Sequence, residues 1–175
     1  MQTTIALPEG WFLGGSHAAA YEAGVALETL DEKPAAYLRA REASGGFGTI
    51  MQQFKADAFR GRRLRLSARV RSENVDRWAG LWMRIDGAAR RLLAFDNMHR
   101  RGITGTTDWT SYSVVLDVPE QESEQIAFGI LLSGTGQVWM ADVQLDAVGQ
   151  DVPTTASTRL RDRPINLDFA PARAG

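Results

Sequence analysis

The sequence predicts an all-β fold, an antiparallel β-sandwich, from the period of its apolar residues and the spacing of its turns. In residues 63–72, Leu, Ala and Val alternate with Arg and Ser, a period-two pattern typical of a strand with one buried face. Several more short segments of strand character are separated by turn signals, which favours a sandwich. Helical periodicity is weak, and the best helix candidate, residues 18–30, is interrupted by Gly24.

Four strands are predicted in the first half of the chain. Residues 49–54 are rich in β-forming side chains and follow a glycine-rich loop. The alternating segment 63–72 follows an Arg-Gly-Arg turn. Residues 79–85 form the third predicted strand, and an Asp-Gly turn joins it to a shorter fourth strand at residues 91–95.

Three strands are predicted in the second half. Residues 112–118 end at Pro119, which cannot donate a hydrogen bond to a sheet ladder. Residues 125–132 are apolar and run into a glycine-rich step that indicates a hairpin loop. Residues 137–145 follow this loop and alternate again. The sequence therefore predicts at least seven strands in antiparallel order.

Composition excludes several classes of function. The chain has 175 residues, which fits one domain, and it contains no cysteine, so disulfides, a thiol nucleophile and a Cys-ligated zinc are excluded. No apolar run approaches roughly 18 residues, and the first residues lack a basic region followed by an apolar stretch. We therefore expect a cytoplasmic protein without a membrane partner.

Charge is distributed unevenly along the chain. Residues 60–101 hold twelve arginines and four acidic residues, whereas residues 102–158 hold eight acidic residues and no Lys or Arg. If these two segments interleave in one sheet system, their charges largely cancel in space. A nucleic-acid interface needs a basic face that stays basic in the folded protein, so we expect no nucleic-acid partner.

Two motifs resemble those of a known family. Residues 105–112 resemble a G-T-x-x-W-x-x-Y entry to a strand, and residues 138–145 resemble a last strand written w-x-D-D-V-x-L. Both are typical of carbohydrate-binding-module-like, or galactose-binding-like, jelly-roll β-sandwiches. The resemblance covers about residues 7–155 and implies the jelly-roll fold. Further stretches are similar to a bacterial group of such domains, often loosely labelled as regulators; they are residues 10–12, 21–24, 51–54, 80–86, 95–98 and 134–139.

The chain divides into a predicted sandwich domain, residues 1–150, and a linker or arm, residues 151–175, rich in Pro, Thr and Arg. Within the arm, residues 165–169 resemble the stretch that begins such a domain. This segment either marks the start of a second module or docks as a strand on an open sheet edge. Docking in trans would make the arm a contact between copies in a homo-oligomer.

Trp82 and Arg84 are the central candidates for a ligand site. Leu81, Met83 and Ile85 are predicted to face the core, so Trp82 and Arg84 face outward on the same strand. The resemblance implies that a ligand lies across such a sheet face, where aromatic rings stack on sugars and polar side chains bond hydroxyl groups. Further predicted ligand-binding residues are Gln52, Gln53, Asp96, Asn97, Trp11 and Tyr21. The alternative is that Trp82 is covered and Arg84 pairs with Asp86 or Asp96.

Three functions remain open, and the first is favoured. It is a non-catalytic module that binds a small molecule or a carbohydrate. The second is a jelly-roll enzyme of cyclase or isomerase type, in which burial raises the pKa of Asp86 or Asp96 so that it serves as a general acid. The third is an effector-binding or interaction domain of a regulator.

No cofactor is expected from the residues. His17 and His99 lack the spacing of metal ligands. The resemblance implies a structural Ca²⁺ site at Asp142, since many modules of this fold hold one through hard oxygen ligands. The neighbouring position in the family motif is acidic but is Ala141 here, and a second acidic position in the arm is Ala170, so the ligand set is reduced.

Overall fold

The structure, a computed structural model, describes residues 3–30 and 33–156 together with Leu167 and Phe169. This part contains ten strands and four short 3₁₀ turns. The strands are β1 (Thr4–Ile5), β2 (Phe12–Gly14), β3 (Tyr21–Leu30), β4 (Lys33–Ala40), β5 (Phe47–Lys55), β6 (Arg63–Asp86), β7 (Leu92–Asp96), β8 (Ile103–Asp117), β9 (Gln125–Ser133) and β10 (Gln137–Val148). The 3₁₀ turns are Ala18–Ala20, Asp57–Phe59, Ala88–Arg90 and His99–Arg101. None of these helices is long or apolar enough to cross a membrane.

The long strand β6 joins the two layers of the sandwich. Its first half pairs with β10 on one side and β8 on the other, whereas its second half pairs with β9 and β7. Between the halves, Asn74 takes a left-handed φ of 52° and the register with β8 shifts. One layer therefore runs β1-β3-β4-β10-β6-β8 and the other β2-β5-β9-β6-β7, with all pairs antiparallel. The predicted antiparallel sandwich is confirmed.

The core lies between these layers. Leu64 and Leu66 come from the first half of β6, and Leu81, Met83 and Ile85 come from its second half; all five are fully buried in one apolar cluster. Burial of each such side chain contributes about 1.5–3 kcal/mol. The predicted alternation of residues 81–85 is confirmed, because Trp82 and Arg84 lie on the opposite face of the strand.

Several elements differ from the prediction. The helix candidate at residues 18–30 is wrong: a single 3₁₀ turn there leads into β3, which pairs with β4. The pairing of β3 with β4 outweighs the weak local preference of this alanine-rich segment for a helix, because strand formation depends strongly on the neighbouring strands. The strand β4 was not predicted, and the predicted strands at 63–72 and 79–85 are one continuous strand.

The basic and acidic segments interleave in the sheets. β6 carries many of the arginines, and its partners β8, β9 and β10 all come from the acidic segment. At one end of β6, Arg63 donates from Nε to Asp117 Oδ1 on β8 at 2.8 Å. Adjacent strands thus place opposite charges side by side in the sheet.

The chain beyond β10 first runs along the sandwich. Arg63 Nη1 donates to the carbonyl oxygens of Gln150 and Val152 at 2.9 and 2.7 Å. Thr155 donates its backbone N–H to the carbonyl of Val115 at 2.9 Å. The proposed docking strand at residues 165–169 lies, apart from Leu167 and Phe169, outside the described residues and stays a prediction.

Candidate ligand-binding cleft

A cleft of about 570 Å³ lies on the outer face of the layer that contains β5, β9 and the second half of β6. Its floor is formed by these three strands. One wall includes Gly15 and Phe47, and the opposite wall includes Arg90, Phe95 and Asn97 near β7. A volume of this size suits a small ligand, because ligand sites in proteins are typically clefts of roughly 300–1,000 Å³.

Trp82 forms the centre of the floor. The register places Trp82 on β6 opposite Gly129 on β9. The indole extends over β9, and its Nε1–H donates to Thr49 Oγ1 on β5 at 2.8 Å. The Thr49 hydroxyl in turn donates to the carbonyl of Ile130 at 2.8 Å. Thr49 lies on β5 and Ile130 on β9, so three strands together fix the indole.

Most of the Trp82 ring is packed. Only 9% of the residue is exposed, and it contacts a small apolar cluster on the outer face. The other members of this cluster are Ala127, Leu131, Met51 and Trp78. The more exposed aromatic surface in the cleft belongs to Phe47 and Phe95, which are 37% and 39% exposed. Trp82 is therefore a rigid floor between two accessible aromatic walls.

The Thr49 hydroxyl allows a direct test of this arrangement. Thr49→Val keeps the shape but leaves the buried Trp82 Nε1–H unpaired, and we expect it to lower the free energy of unfolding by about 1–3 kcal/mol. Urea denaturation followed by tryptophan fluorescence measures this change. Thr104→Val is the matched control, because Thr104 is an exposed β8 residue with no side-chain hydrogen bond to any described residue. Equal stability of the two variants would contradict the proposed role of the hydroxyl.

Arg84 and Asp86 form an ion pair at one end of the cleft. Arg84 Nε donates to Asp86 Oδ1 at 2.7 Å, and Arg84 Nη2 reaches the carbonyl oxygen of Arg90 at 3.4 Å. The Asp86 side chain is 8% exposed, whereas that of Arg84 is 40% exposed. The sequence left open that Arg84 pairs with Asp86, and the structure contains this ion pair. Part of the Arg84 guanidinium still faces the cleft.

The two glutamines lie on opposite faces of β5. Gln53 lines the cleft, and its Oε1 accepts from Gln125 Nε2 at 3.0 Å. Gln52 points the other way, where its Nε2 lies 3.0 Å from the position that a Cβ on Gly10 would take. Neighbouring strand residues face opposite sides of a sheet, so only one of the pair can reach the ligand.

Asp96 and Asn97 also separate. Asn97 lines the cleft, and its Oδ1 accepts from the backbone N–H of His99 at 3.1 Å. Asp96 is 6% exposed and turns away from the cleft toward Arg101, whose Nη2 donates to Asp96 Oδ2 at 2.6 Å. The backbone N–H of Met98 donates to Asp96 Oδ1 at 3.0 Å. These contacts give Asp96 a structural role at the β7–β8 connection.

The pKa of Asp96 is lowered. Burial alone would raise it, but hydrogen bonds from Arg101, the Thr155 hydroxyl and the Met98 N–H outweigh burial, and the Arg101 charge adds to them. The pKa therefore lies below the ordinary value of 3.8. The enzyme alternative required burial to raise the pKa of this carboxyl, and the opposite direction removes Asp96 as a general acid at neutral pH.

Two aromatic candidates lie away from the cleft. Trp11 packs edge-on against Phe128, with ring centroids 5.4 Å apart, and belongs to the main core. Tyr21 is 2% exposed and donates its hydroxyl to the carbonyl of Gly134 at 2.9 Å. Both residues therefore stabilise the sandwich, whereas the sequence predicted that they bind the ligand.

Sequence reasoning missed part of the cleft. Phe47 and Trp78 meet at one end because both pair with Ser133 of β9, and Phe95 lies beside Arg84 because β7 pairs with β6. These juxtapositions depend on strand register, which the sequence does not specify. Arg90 was missed because it lies in a connecting turn.

Among the residues that the structure describes, Asp142 does not belong to a cluster of metal-ligating side chains. Its Oδ1 lies 3.6 Å from Lys33 Nζ. Within residues 3–30 and 33–156, no group of three or more His, Asp or Glu side chains is arranged to hold a metal ion. The calcium site stays a prediction that rests on the resemblance.

Comparisons with known proteins identify the fold. No protein-family model matches the chain. The chain is 47% identical over 167 residues to an uncharacterized HTH-type transcriptional regulator, YbfP, of Bacillus subtilis (strain 168). The match covers 92% of this chain but 56% of that protein, so the chain spans about half the length of this relative.

Solved structures with the same fold include several carbohydrate-binding modules. The xylan-binding CBM22-1 domain of Paenibacillus barcinonensis Xyn10C aligns with a TM-score of 0.57 at 10% identity, over 82% of this chain and 89% of that one. The C-terminal family 22 module of Clostridium thermocellum Xyn10B aligns with a TM-score of 0.54 at 12% identity, over 83% and 89%. A cyclase from Fischerella sp. TAU aligns with a TM-score of 0.59 at 15% identity, over 81% and 86%. The chain thus has the jelly-roll sandwich fold of carbohydrate-binding modules, as the resemblance implied.

Proposed function

We propose that this domain is a non-catalytic binding module that takes a saccharide in the cleft above Trp82. The observation that carries the proposal is the composition of this cleft. Accessible aromatic rings, Phe47 and Phe95, stand on opposite walls, and polar side chains such as Gln53 and Asn97 face the space between them. A saccharide presents apolar ring faces together with hydroxyl groups, which is the chemistry that such a lining complements.

The comparisons support this class of ligand. Structures of the same fold include a xylan-binding domain and a carbohydrate-binding module with a cleft that takes part in ligand binding. The carboxylates do not favour the enzyme alternative, although a cyclase shares the fold. Asp96 is turned away from the cleft with a lowered pKa, and Asp86 is paired with Arg84. A buried carboxylate that several donors hold in its ionised form, as Asp96 is, is poorly suited to donating a proton.

A second role for the same cleft is the sensing of an effector. The observation that favours it is the 47% identity to part of a protein named as a transcriptional regulator. The two roles differ in the ligand size that they need. A module for polysaccharides gains affinity as the oligosaccharide lengthens, whereas an effector site is saturated by a mono- or disaccharide. Isothermal titration with xylose, xylobiose and xylohexaose distinguishes them.

The binding proposal predicts that the aromatic walls supply much of the affinity. We expect Phe47→Ala and Phe95→Ala each to weaken saccharide binding by about tenfold or more, because loss of a stacking ring removes about 1.4 kcal/mol. Titration calorimetry against a panel of neutral and acidic oligosaccharides, with xylohexaose as one member, measures the effect. Both residues are partly exposed, so their removal should leave the fold intact.

Ile5→Ala is the matched control. Ile5 is an exposed apolar residue, 53% exposed, on β1 of the opposite layer, and its removal should leave the affinity unchanged. A similar loss of affinity in all three variants would argue against the cleft as the site. A folded wild-type protein that binds no member of the panel would contradict the saccharide proposal itself.

A further inference from the structure

The cleft is polarised along the strand direction. At one end, Phe47 and Trp78 flank Ser133. At the other end, Gln125 pairs with Asp86. These two ends are separated by eight residues of β6, from 78 to 86, or roughly 26 Å of strand. A ligand that spans the cleft therefore meets Phe47 and Trp78 at one end, and it meets charged side chains together with Phe95 at the other.

The charged end has an excess of positive charge. The ionisable residues that line the cleft are Arg84, Asp86 and Arg90. Asp86 is matched by Arg84, which keeps its Nη1 group and 40% of its side-chain surface for other contacts. The guanidinium of Arg90 makes no ion pair or hydrogen bond with any residue that the structure describes, so no carboxylate among these residues compensates its charge.

The turn that carries Arg90 is held in an unusual conformation. Ala89 and Arg90 both have left-handed φ angles, 52° and 58°. Such angles cost a non-glycine residue roughly 1–2 kcal/mol each, so tertiary contacts must hold the turn in place. The turn is closed by Gly87 N–H donating to the carbonyl of Arg91 at 2.8 Å, and Arg84 Nη2 reaches the Arg90 carbonyl. The result is that Arg90 lines the cleft.

Arg91, its neighbour, has a different environment. Its Nη2 lies 3.3 Å from Glu122 Oε2, and it is not part of the cleft lining. The two adjacent arginines of this turn thus differ. Arg91 has a carboxylate partner in the protein, whereas Arg90 lines the cleft. This contrast identifies the anion-binding position and supplies its control.

We propose that the ligand of this cleft is an acidic saccharide whose carboxylate binds Arg90 and the free part of Arg84. This inference rests on the proposed function, since it names the class of saccharide that the same cleft takes. Arginine suits a carboxylate because its planar guanidinium donates two parallel hydrogen bonds to the two oxygens. The end of the cleft with Phe47 and Trp78, which carries no charged side chain, then accommodates the neutral part of the oligosaccharide.

Titration calorimetry tests this inference with pairs of ligands, each made of an acidic saccharide and its neutral counterpart. The probes are oligogalacturonides, their methyl esters, xylo-oligosaccharides with a glucuronic acid branch, and the unbranched xylo-oligosaccharides. The acidic member of at least one pair should bind about tenfold tighter than its neutral counterpart at low salt. The preference should shrink at about 0.5 M NaCl because salt screens an exposed charge pair. Arg90→Gln should abolish the preference, and Arg91→Gln should preserve it.

The outcomes separate the two proposals. If neutral and acidic members bind equally well, the acidic-ligand inference is overturned and the saccharide proposal stands. If the acidic preference survives in Arg90→Gln and in Arg84→Gln, the anion position assigned here is overturned. If no saccharide binds the folded protein, both proposals fail together. Loss of the preference in Arg90→Gln, with the preference kept in Arg91→Gln, supports the inference, and a circular dichroism spectrum equal to that of the wild type shows that the variant is folded.

Discussion

Replacement of Gly129 by alanine is expected to lower the free energy of unfolding by about 3 kcal/mol. Gly129 lies at the centre of the layer that forms the cleft floor, where it pairs with Met51 on one side and Trp82 on the other. A Cβ at this position would overlap the carbonyl oxygen of Ile50 and would lie 2.9 Å from Met51 Cα. Both are backbone atoms of a paired strand, so neither can move without breaking the ladder between β5 and β9.

Gly45→Ala is the matched control for this substitution. Gly45 lies in the loop before β5, and no heavy atom lies within 4 Å of the position its Cβ would take. We expect this variant to keep its stability within about 0.5 kcal/mol or to gain slightly, because alanine restricts the unfolded chain. Urea denaturation of both variants, followed by circular dichroism, measures the difference. A Gly129→Ala variant as stable as Gly45→Ala would show that β5 and β9 do not pair in the register that places Gly129 opposite Met51.

The strand that the sequence predicted in most detail is one with a strong period of two. Residues 63–72 alternate without interruption, so one face of that strand could be assigned to the core before the structure was known. The strands β3 and β4 carry many alanines and a glycine, whose β-preference is weak, and only their mutual pairing makes them strands. The bend that joins the two layers was not predicted either, because it depends on a left-handed φ at Asn74.

Part of the site was also predictable from the period of two. Alternation along β6 placed Trp82 and Arg84 on one face, and both line the cleft. Gln52 and Gln53 were both selected because polarity alone does not reveal which of two neighbours faces the ligand. Phe47 and Phe95 come from separate strands, and they face the same cleft only through the registers of β5 with β9 and of β6 with β7. Sequence patterns report on one strand at a time, whereas this cleft is built across four.

Asp96→Asn is expected to lower the free energy of unfolding at neutral pH by about 1.5–3 kcal/mol, the range for hydrogen bonds to a charged group. The Asp96 carboxylate accepts from Arg101 through both oxygens and from the Met98 N–H. An asparagine has a single acceptor oxygen, so its amide NH₂ would face either the guanidinium or the Met98 N–H. Met98 is in a left-handed conformation with φ of 63°, and the lost acceptor would loosen this turn.

The cost of Asp96→Asn should also depend on pH in a defined direction. The pKa of Asp96 in the folded protein lies below its ordinary value of 3.8. Stability from the carboxylate is therefore fully present above that ordinary value and is lost as the pH falls through the folded-state pKa. Urea denaturation at pH 7, 5 and 3 should give equal differences between wild type and variant at the first two values and a smaller difference at the third.

Asp57→Asn is the control. It changes an exposed carboxylate beside Arg60 and should change stability by less than about 1 kcal/mol. A difference for Asp96→Asn that stays constant or grows on acidification would mean that the carboxylate is not stabilised by Arg101, because protonation should make aspartic acid resemble asparagine.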